Sequence, residues 1–391
     1  MLRSLLSAVG LSLVVSSSAC ACSSTSTSTP ASPATGTSAR GVRIATLRPP
    51  SPLPTRDRQL LVYELTVTPP AGASSVSISR LTVEGAGLTT TDLSGDALAA
   101  NLFVRGADNR PIRPAPPSIA AGQTALVYLL HELAPTATPP ERLTATATLS
   151  VDGAADTARL DVPVATTKPV VLGPPLRGKG WVTFNGIANT SIHRRAVPPL
   201  PELHVPERYA IDFISSDDGG ALATDPKDLK SWFCYGAELL AVGDGTVVKT
   251  SDGAADQPLG QGLEPSTITA DNIAGNMILL ELDGGRGYVL YAHIAPGAVK
   301  VKVGEHVTKG AVVGLLGNTG NSTAPHLHIH VADRPDALAS EGVPFVFERF
   351  TYTGKADIAP FDADEDRINR PERRADAVSN AKPAENEIVD F

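Results

Sequence analysis

The residues of this chain best suited to chemistry are three alternating histidines. His326, His328 and His330 are separated by Leu327 and Ile329, an alternation typical of a β-strand. Residues two apart on a strand share one face, roughly 6 to 7 Å from each other, so the three imidazoles are predicted to lie side by side. Neutral imidazole is the commonest metal ligand in proteins. A purely structural role is disfavoured, because three aligned imidazoles would be poorly satisfied in an apolar sheet.

An acid and a further histidine extend this set. Asp212 stands in the apolar run Tyr-Ala-Ile-Asp-Phe at 209–213, and His293 follows Tyr-Ala at 291–292. A carboxylate in an apolar strand is costly unless it is paired or binds a metal, which favours a ligand role for Asp212. The run Gly-Asn-Thr-Gly-Asn-Ser-Thr-Ala-Pro at 317–325 predicts a turn that delivers the histidine strand at a fixed angle.

Three motifs in this order carry a family resemblance. The run Gly-Asn-Thr-Gly-Asn-Ser-Thr-Ala-Pro-His-Leu-His at 317–328 resembles the signature of the lysostaphin or LytM family of zinc peptidoglycan endopeptidases. Residues 291–293 resemble that family's other short motif, and residues 301–317 resemble the hairpin between the two. The resemblance covers roughly residues 180–331. It implies a tetrahedral zinc ion held by a His, an Asp and the second His of His-x-His, with one position open.

Residue by residue, the resemblance implies that Asp212 and His328 are zinc ligands. It implies that His326 is the general base on the attacking water, and that His293 orients this water and steadies the developing oxyanion. The implied reaction is zinc-assisted hydrolysis of peptide bonds. The implied substrates are the stem or cross-link peptides of bacterial peptidoglycan.

The chain departs from the family at one position. Where the family commonly has a histidine, four residues before Asp212, this sequence has Arg208, which stays protonated and cannot bind zinc. His193 is preferred as the third ligand, since its His-Arg-Arg-Ala segment resembles a branch of the family. His204 remains open, although prolines stiffen its loop. The alternative is a catalytically inactive LytM-like protein that binds the wall and activates other hydrolases.

The elements that position these residues are predicted to be β-strands throughout, in two domains. Residues 41–167 alternate apolar and polar residues between Pro, Gly and Asp turns and predict a β-sandwich that acts as a binding or spacer module. His131 is expected on its surface. Residues 168–353 predict an antiparallel β-sheet peptidase domain of the LytM type. Residues 354–391 predict a C-terminal tail that is partly disordered or wrapped on the surface.

The remaining features concern location and partners. Residues 1–22 combine a positive start, a short apolar run and small residues, which predicts export to the periplasm or cell envelope. Either Cys20 or Cys22 is a candidate for a lipid anchor, and residues 23–40 form a Ser/Thr/Pro-rich linker. Cys234 is predicted to be a buried structural thiol. The net charge of -8 argues against a nucleic-acid partner. The oligomeric state is left open.

Overall fold

The structure is a computed structural model that describes residues 33–116, 118–363 and 365–391. It divides into two compact units, which we call the first and the second unit. The first contains residues 33–169 and Ala188–His204, and the second contains Val170–Ile187 and Val205–Phe391. Nearly all regular structure is β, so the predicted all-β class is confirmed. The predicted export signal and the candidate lipid-bearing cysteines lie outside the described residues.

The first unit is built from antiparallel strands and two short helices. Its strands are β1 (Thr35–Thr37), β2 (Arg43–Thr46), β3 (Leu53–Pro54), β4 (Gln59–Thr68), β5 (Val76–Glu84), β6 (Thr91–Ser94), β7 (Leu102–Arg105), β8 (Pro111–Ile112), β9 (Thr124–Leu133), β10 (Arg142–Val151) and β11 (Ala154–Pro163). Its helices are α1 (Gly95–Ala100) and α2 (Ile192–Arg195). β1 lies in the predicted linker but pairs with β2.

Within the described residues, the strands of this unit form two sheets around one apolar core. One sheet has the order β1-β2-β4-β9-β7-β8, with β3 on β4, and the other has the order β11-β10-β5-β6. Every second residue of β4, such as Leu61 and Leu65, enters the same core as Leu143 and Ala147 of β10. Burial of β10 follows the predicted period of two, whereas β4 is buried on both faces from Leu60 to Leu65.

His131, on β9, does not lie on the surface as predicted. It is buried, with Nε2 3.2 Å from the Tyr63 hydroxyl and Nδ1 3.0 Å from Thr91 Oγ1. Burial lowers the pKa of His131 to about 4, and the positive charge of Arg194 acts in the same direction. The surface prediction was wrong because the sequence could not reveal that these two hydroxyls satisfy both ring nitrogens.

Helix α2 belongs to the first unit because Arg194 anchors it there. The guanidinium donates from Nε to Glu64 Oε1 at 2.8 Å, and from Nη2 to the carbonyls of Tyr63 at 2.6 Å and Leu129 at 2.9 Å. Its Nη1 donates to Asn189. Both charged side chains of the pair are buried. Residues 188–204 are thus fastened to β4 and β9 by a buried ion pair.

The second unit contains the motifs of interest. Its strands are β12 (Val170–Leu172), β13 (Trp181–Phe184), β14 (Ile211–Ser215), β15 (Glu238–Leu240), β16 (Gly245–Ser251), β17 (Asn276–Leu282), β18 (Tyr288–Ile294), β19 (His306–Val307), β20 (Val312–Leu315), β21 (Leu327–Ala332), β22 (Phe345–Lys355), β23 (Asp376–Ala381) and β24 (Glu387–Asp390). A short helix, α3, spans Ala359–Asp362, and 3-10 turns lie at Leu229–Ser231 and Pro265–Thr267.

The main sheet of the second unit has the order β12-β22-β24-β13-β14-β21-β18-β17-β16-β19, with β23 on β22. All its pairings are antiparallel except β12 with β22. β21 lies between β14 and β18 and is buried along its whole length. Leu327, Ile329 and Val331 fill one face, which leaves the opposite face to the histidines. β15 and β20 form a separate ribbon.

The C-terminal residues were predicted to be partly disordered or wrapped on the surface, and the structure contradicts the disorder because they form two regular strands. β23 and β24 both pair with β22, and β24 also pairs with β13. Phe391 packs against Phe213 and Phe347, with ring centroids 5.5 and 5.3 Å apart. Phe391, which follows β24, therefore packs against β14 on the face opposite Asp212. Short apolar runs among charges hid this role, because long-range pairing leaves no local signal.

Across the described ranges, no helix is both long and apolar enough to cross a bilayer.

Candidate metal and catalytic site

Four predicted site residues of the second unit come together on adjacent strands. Asp212 on β14 and His328 on β21 are directly opposite in the strand register, and His328 is opposite Ala292 on β18. His326 stands immediately before β21 and His293 lies near the end of β18. Antiparallel pairing thus assembles residues that are up to 116 positions apart in the chain.

Asp212 and His328 have the spacing of two ligands of one metal ion. His328 Nδ1 lies 3.1 Å from Asp212 Oδ1, while Asn185 donates from Nδ2 to Asp212 Oδ2 at 2.8 Å. Two donors of a tetrahedral zinc, each about 2.0 to 2.1 Å from the ion, lie roughly 3.3 Å apart. The buried pair therefore fits a zinc ion, and Asn185 holds the second carboxylate oxygen in place.

His293 reaches the site through an unusual backbone conformation. Because Ala292 shares a face with His328, a regular strand would direct His293 to the opposite face. His293 instead has φ +62°, the left-handed region that non-glycine residues rarely adopt. Its ring centroid then lies 4.6 Å from that of His326 and 6.0 Å from that of His328. Such strain persists only where the surrounding structure enforces it.

The tautomer of His293 follows from its hydrogen bond. Nδ1 lies 2.7 Å from the carbonyl oxygen of Thr319, which can only accept, so Nδ1 carries the proton. Burial lowers the pKa of His293 well below its ordinary value, and the nearby His326 and His328 lower it further. His293 is therefore neutral, and its Nε2 offers a lone pair.

His326 is held in the same way by the turn that precedes it. Its Nδ1 lies 2.8 Å from the Ala324 carbonyl and 3.2 Å from Ser322 Oγ, and Ser322 in turn donates to Asn318 Oδ1 at 2.6 Å. Nε2 of His326 lies 3.8 Å from Asp212 Oδ1, with 14% of the side chain exposed. His326 thus combines proximity to the ligands with access to solvent.

Two glycines of the turn at 317–325 are required by close packing. A Cβ on Gly317 would lie 2.4 Å from the backbone of Ala295, and a Cβ on Gly320 would lie 2.3 Å from the nitrogen of Gly275. Between them, Thr319 Oγ1 donates to the Ile294 carbonyl at 2.9 Å. These contacts fix the Thr319 carbonyl that orients His293. The motif predicted a turn, but not which of its atoms orients a histidine.

Arg208 occupies the position where a ligand was expected by resemblance. Its guanidinium is buried and donates to Glu341 Oε2 at 2.7 Å and to the Gly342 carbonyl at 3.4 Å. The charge is therefore used in an ion pair within the second unit. His193, on α2, and His204 both belong to the first unit and are buried. Either one as the third ligand stays a prediction.

Two polar residues that were not among the predicted catalytic or metal-binding residues lie beside the ligands. His330 Nδ1 lies 2.9 Å from His328 Nε2, and Glu207 Oε1 lies 3.9 Å from the same nitrogen. The alternation at 326–330 pointed to His330. Glu207 had no signal, because it lies in a turn whose path depends on the tertiary fold. Cys234 is buried as predicted, and burial raises the pKa of its thiol to about 12, which makes it unreactive.

Comparison with known proteins gives a family match for part of this chain. Residues 233–339, which include His293, His326 and His328, match the model of peptidase family M23. Lysostaphin from Staphylococcus staphylolyticus is 38% identical over 74 residues, which cover 18% of this chain and 15% of that protein. The chain thus spans well under a fifth of the length of its curated relatives.

Solved structures give more distant similarities. The catalytic domain of the antimicrobial peptidase lysostaphin from Staphylococcus simulans is 21% identical, with 44% of this chain and 88% of that chain covered and a TM-score of 0.23. A zinc-containing peptidase from Vibrio cholerae is 14% identical, with 76% and 85% covered and a TM-score of 0.22. The family match and the lysostaphin similarity therefore show that residues 233–339 of this chain are similar to peptidase family M23.

Proposed function

We propose that this protein is an exported zinc-dependent metalloendopeptidase that hydrolyses peptide bonds of bacterial peptidoglycan. In this proposal Asp212, His328 and His193 hold the zinc ion, and His293 and His326 are the catalytic residues. The observation that carries it is the 3.1 Å separation of His328 Nδ1 and Asp212 Oδ1, with two further histidines beside them. The peptide substrate and the location in the cell envelope come from the sequence resemblance.

The chemistry requires an electrophile, a general base and a general acid. Asp212 and His328 would hold a zinc ion, which would supply Lewis acidity that polarises the scissile carbonyl and makes water a nucleophile near neutral pH. His293 and His326 each have Nδ1 committed to a backbone carbonyl, at 2.7 and 2.8 Å. Nε2 of His326 is therefore the atom that would accept a proton from the attacking water and return it to the leaving amine, while Nε2 of His293 would orient that water.

The two histidines differ in ways that suit different tasks. His326 is the more exposed and lies 3.8 Å from Asp212, so it is positioned to exchange protons with water and substrate. His293 is buried, and its lowered pKa keeps Nε2 as an acceptor that orients the nucleophile. Only after taking up a proton can His293 donate to the developing oxyanion.

One observation favours a second candidate function. Arg208 replaces the usual histidine and is tied to Glu341, so the second unit alone offers an incomplete ligand set at that position. A protein that binds the wall without cutting it and activates other hydrolases would tolerate this replacement. The retention of Asp212, His293, His326 and His328 together argues for the enzyme.

Digestion of cell-wall sacculi separates the two functions. Purified protein should release peptide fragments that mass spectrometry identifies, and a zinc chelator should abolish the release. The Asp212→Asn variant should also be inactive, whereas His306→Ala is the matched control, since His306 is an exposed histidine of the same unit that contacts Asp283. Binding to sacculi without release by the zinc-loaded wild-type protein would instead support the inactive binder.

A further inference from the structure

His328 and His330 contact each other on the site face of β21. They are two residues apart on the same strand, with His328 Nε2 2.9 Å from His330 Nδ1 and the ring centroids 5.2 Å apart. Both side chains are buried, so bulk water does not replace the hydrogen bond between the two rings. A nitrogen pair at this distance has one donor and one acceptor.

The role of each nitrogen follows from the other end of His328. Its Nδ1 faces Asp212 Oδ1 at 3.1 Å, and an imidazole binds a metal through a nitrogen that carries no proton. When Nδ1 of His328 binds a cation, the neutral ring carries its proton on Nε2. That buried N–H requires an acceptor, and His330 Nδ1 is within hydrogen-bond distance.

We infer that His330 is a positioning residue that accepts a hydrogen bond from Nε2 of His328 and so fixes the tautomer and ring orientation of a metal ligand. The inference rests on the proposed zinc site and deepens it. Glu207 cannot take this role in the observed arrangement, because its Oε1 lies 3.9 Å from the same Nε2, beyond hydrogen-bond length.

A competing assignment makes His330 a metal ligand itself. Glu207, His328 and His330 present donor atoms within 4.8 Å of one another and could in principle hold a cation through Nε2 of His328. The 2.9 Å nitrogen separation is that of a hydrogen bond, which favours the positioning role. The two assignments predict opposite outcomes for one conservative substitution.

The decisive variants are His330→Asn and His330→Leu, which have nearly the same shape. The Asn side-chain oxygen takes the place of Nδ1 and can accept from His328, whereas Leu cannot. Zinc affinity, measured by competition with a chromophoric chelator, should fall about 10- to 100-fold in His330→Leu. It should be largely restored in His330→Asn. Tryptophan fluorescence checks the folding of the second unit, which contains both Trp181 and Trp232.

Each other outcome has a definite meaning. If both variants lose zinc affinity equally, His330 is a metal ligand. If both keep the wild-type zinc affinity, His330 does not position His328. Either result overturns the inference. A wild-type protein that binds no zinc would instead refute the proposed function. Should His330→Leu fail to fold, nitrogen-15 NMR of the zinc-loaded wild-type protein decides. A proton on His328 Nε2 with coupling to His330 Nδ1 is expected, and a proton on His330 Nδ1 would refute the inference.

Discussion

Replacing Glu64 with Leu should strongly destabilise the first unit. The Glu64 and Arg194 side chains are 0% and 1% exposed, so the substitution leaves the guanidinium charge buried without its partner. Removing one member of a buried ion pair costs about 3–5 kcal/mol. Arg194 keeps its bonds to the carbonyls of Tyr63 and Leu129, which places the expected loss near the lower end of that range.

The magnitude is large enough to measure by thermal unfolding. For a unit of this size each kcal/mol lowers the Tm by about 2 to 4 °C, so a decrease of roughly 6 to 12 °C is expected for a loss of about 3 kcal/mol. Far-UV circular dichroism follows both units, whereas tryptophan fluorescence follows the second unit alone, since Trp181 and Trp232 lie there. Unfolding of the destabilised first unit at the lower temperature should appear in circular dichroism.

A double variant tests the cause. Glu64→Leu combined with Arg194→Met removes both charges and should recover most of the lost stability, because an apolar pair of similar volume can replace a buried ion pair. Equal destabilisation in the single and double variants would refute the argument from the unpaired charge. A single variant with the wild-type Tm would refute the contribution of the ion pair altogether.

The contacts that hold Arg194 also provide a test of the predicted spacer role of the N-terminal domain. His193 immediately precedes Arg194, and deletion of residues 1–167 removes Glu64, Tyr63 and Leu129, which hold Arg194. If His193 is the third ligand, the truncated chain should bind zinc more weakly than the full chain in chelator competition. Equal zinc affinity would restore the interpretation of the first domain as a simple spacer.

Three further predictions concern the histidines. His326→Ala and His293→Ala should each keep zinc, measured by atomic emission, but lose about a hundred- to ten-thousand-fold in turnover, and metal loss would show that these residues were assigned wrongly. His193→Ala should lose zinc and activity together while His204→Ala keeps both, and full zinc in the His193 variant would refute its ligand role. For His131, the folded-state pKa of about 4 lies below the ordinary 6.5, so its contribution to stability is complete above about pH 6.5 and is lost as the pH falls toward 4. The free energy of unfolding should decrease by at most about 3 kcal/mol over this range, and urea unfolding at several pH values measures the decrease. If the stability of His131→Gln depends on pH as steeply as that of the wild type, the prediction is contradicted.

Much of the architecture was predictable because it depends on local alternation. The segment at 143–151 alternates apolar and polar residues, and the segment at 60–67 is mostly apolar. They lie within β10 and β4, whose alternate residues fill the core. The predicted turn at 317–325 also depends on local chemistry, since its glycines are needed where chains approach closely. Such signals are contained in a few neighbouring residues and survive in the sequence alone.

Other features depend on partners that are distant in the chain. The C-terminal strand β24 was not expected, because its pairing with β13 joins residues about two hundred positions apart. Burial of His131 depends on hydroxyl groups from β4 and β6. The attachment of residues 188–204 to the first unit depends on Glu64, which lies 130 positions before Arg194.

The sequence by itself determined the chemical character of the protein: an all-β chain with Asp212, His293, His326 and His328 in motifs that resemble those of a zinc peptidase. The tertiary structure decided how these groups are aimed. The register of β14 with β21 places Asp212 beside His328, and the left-handed backbone at His293 turns that ring toward them. Residue types can be read from the sequence, whereas the distances between their atoms depend on strand pairing and packing between residues that are far apart in the chain.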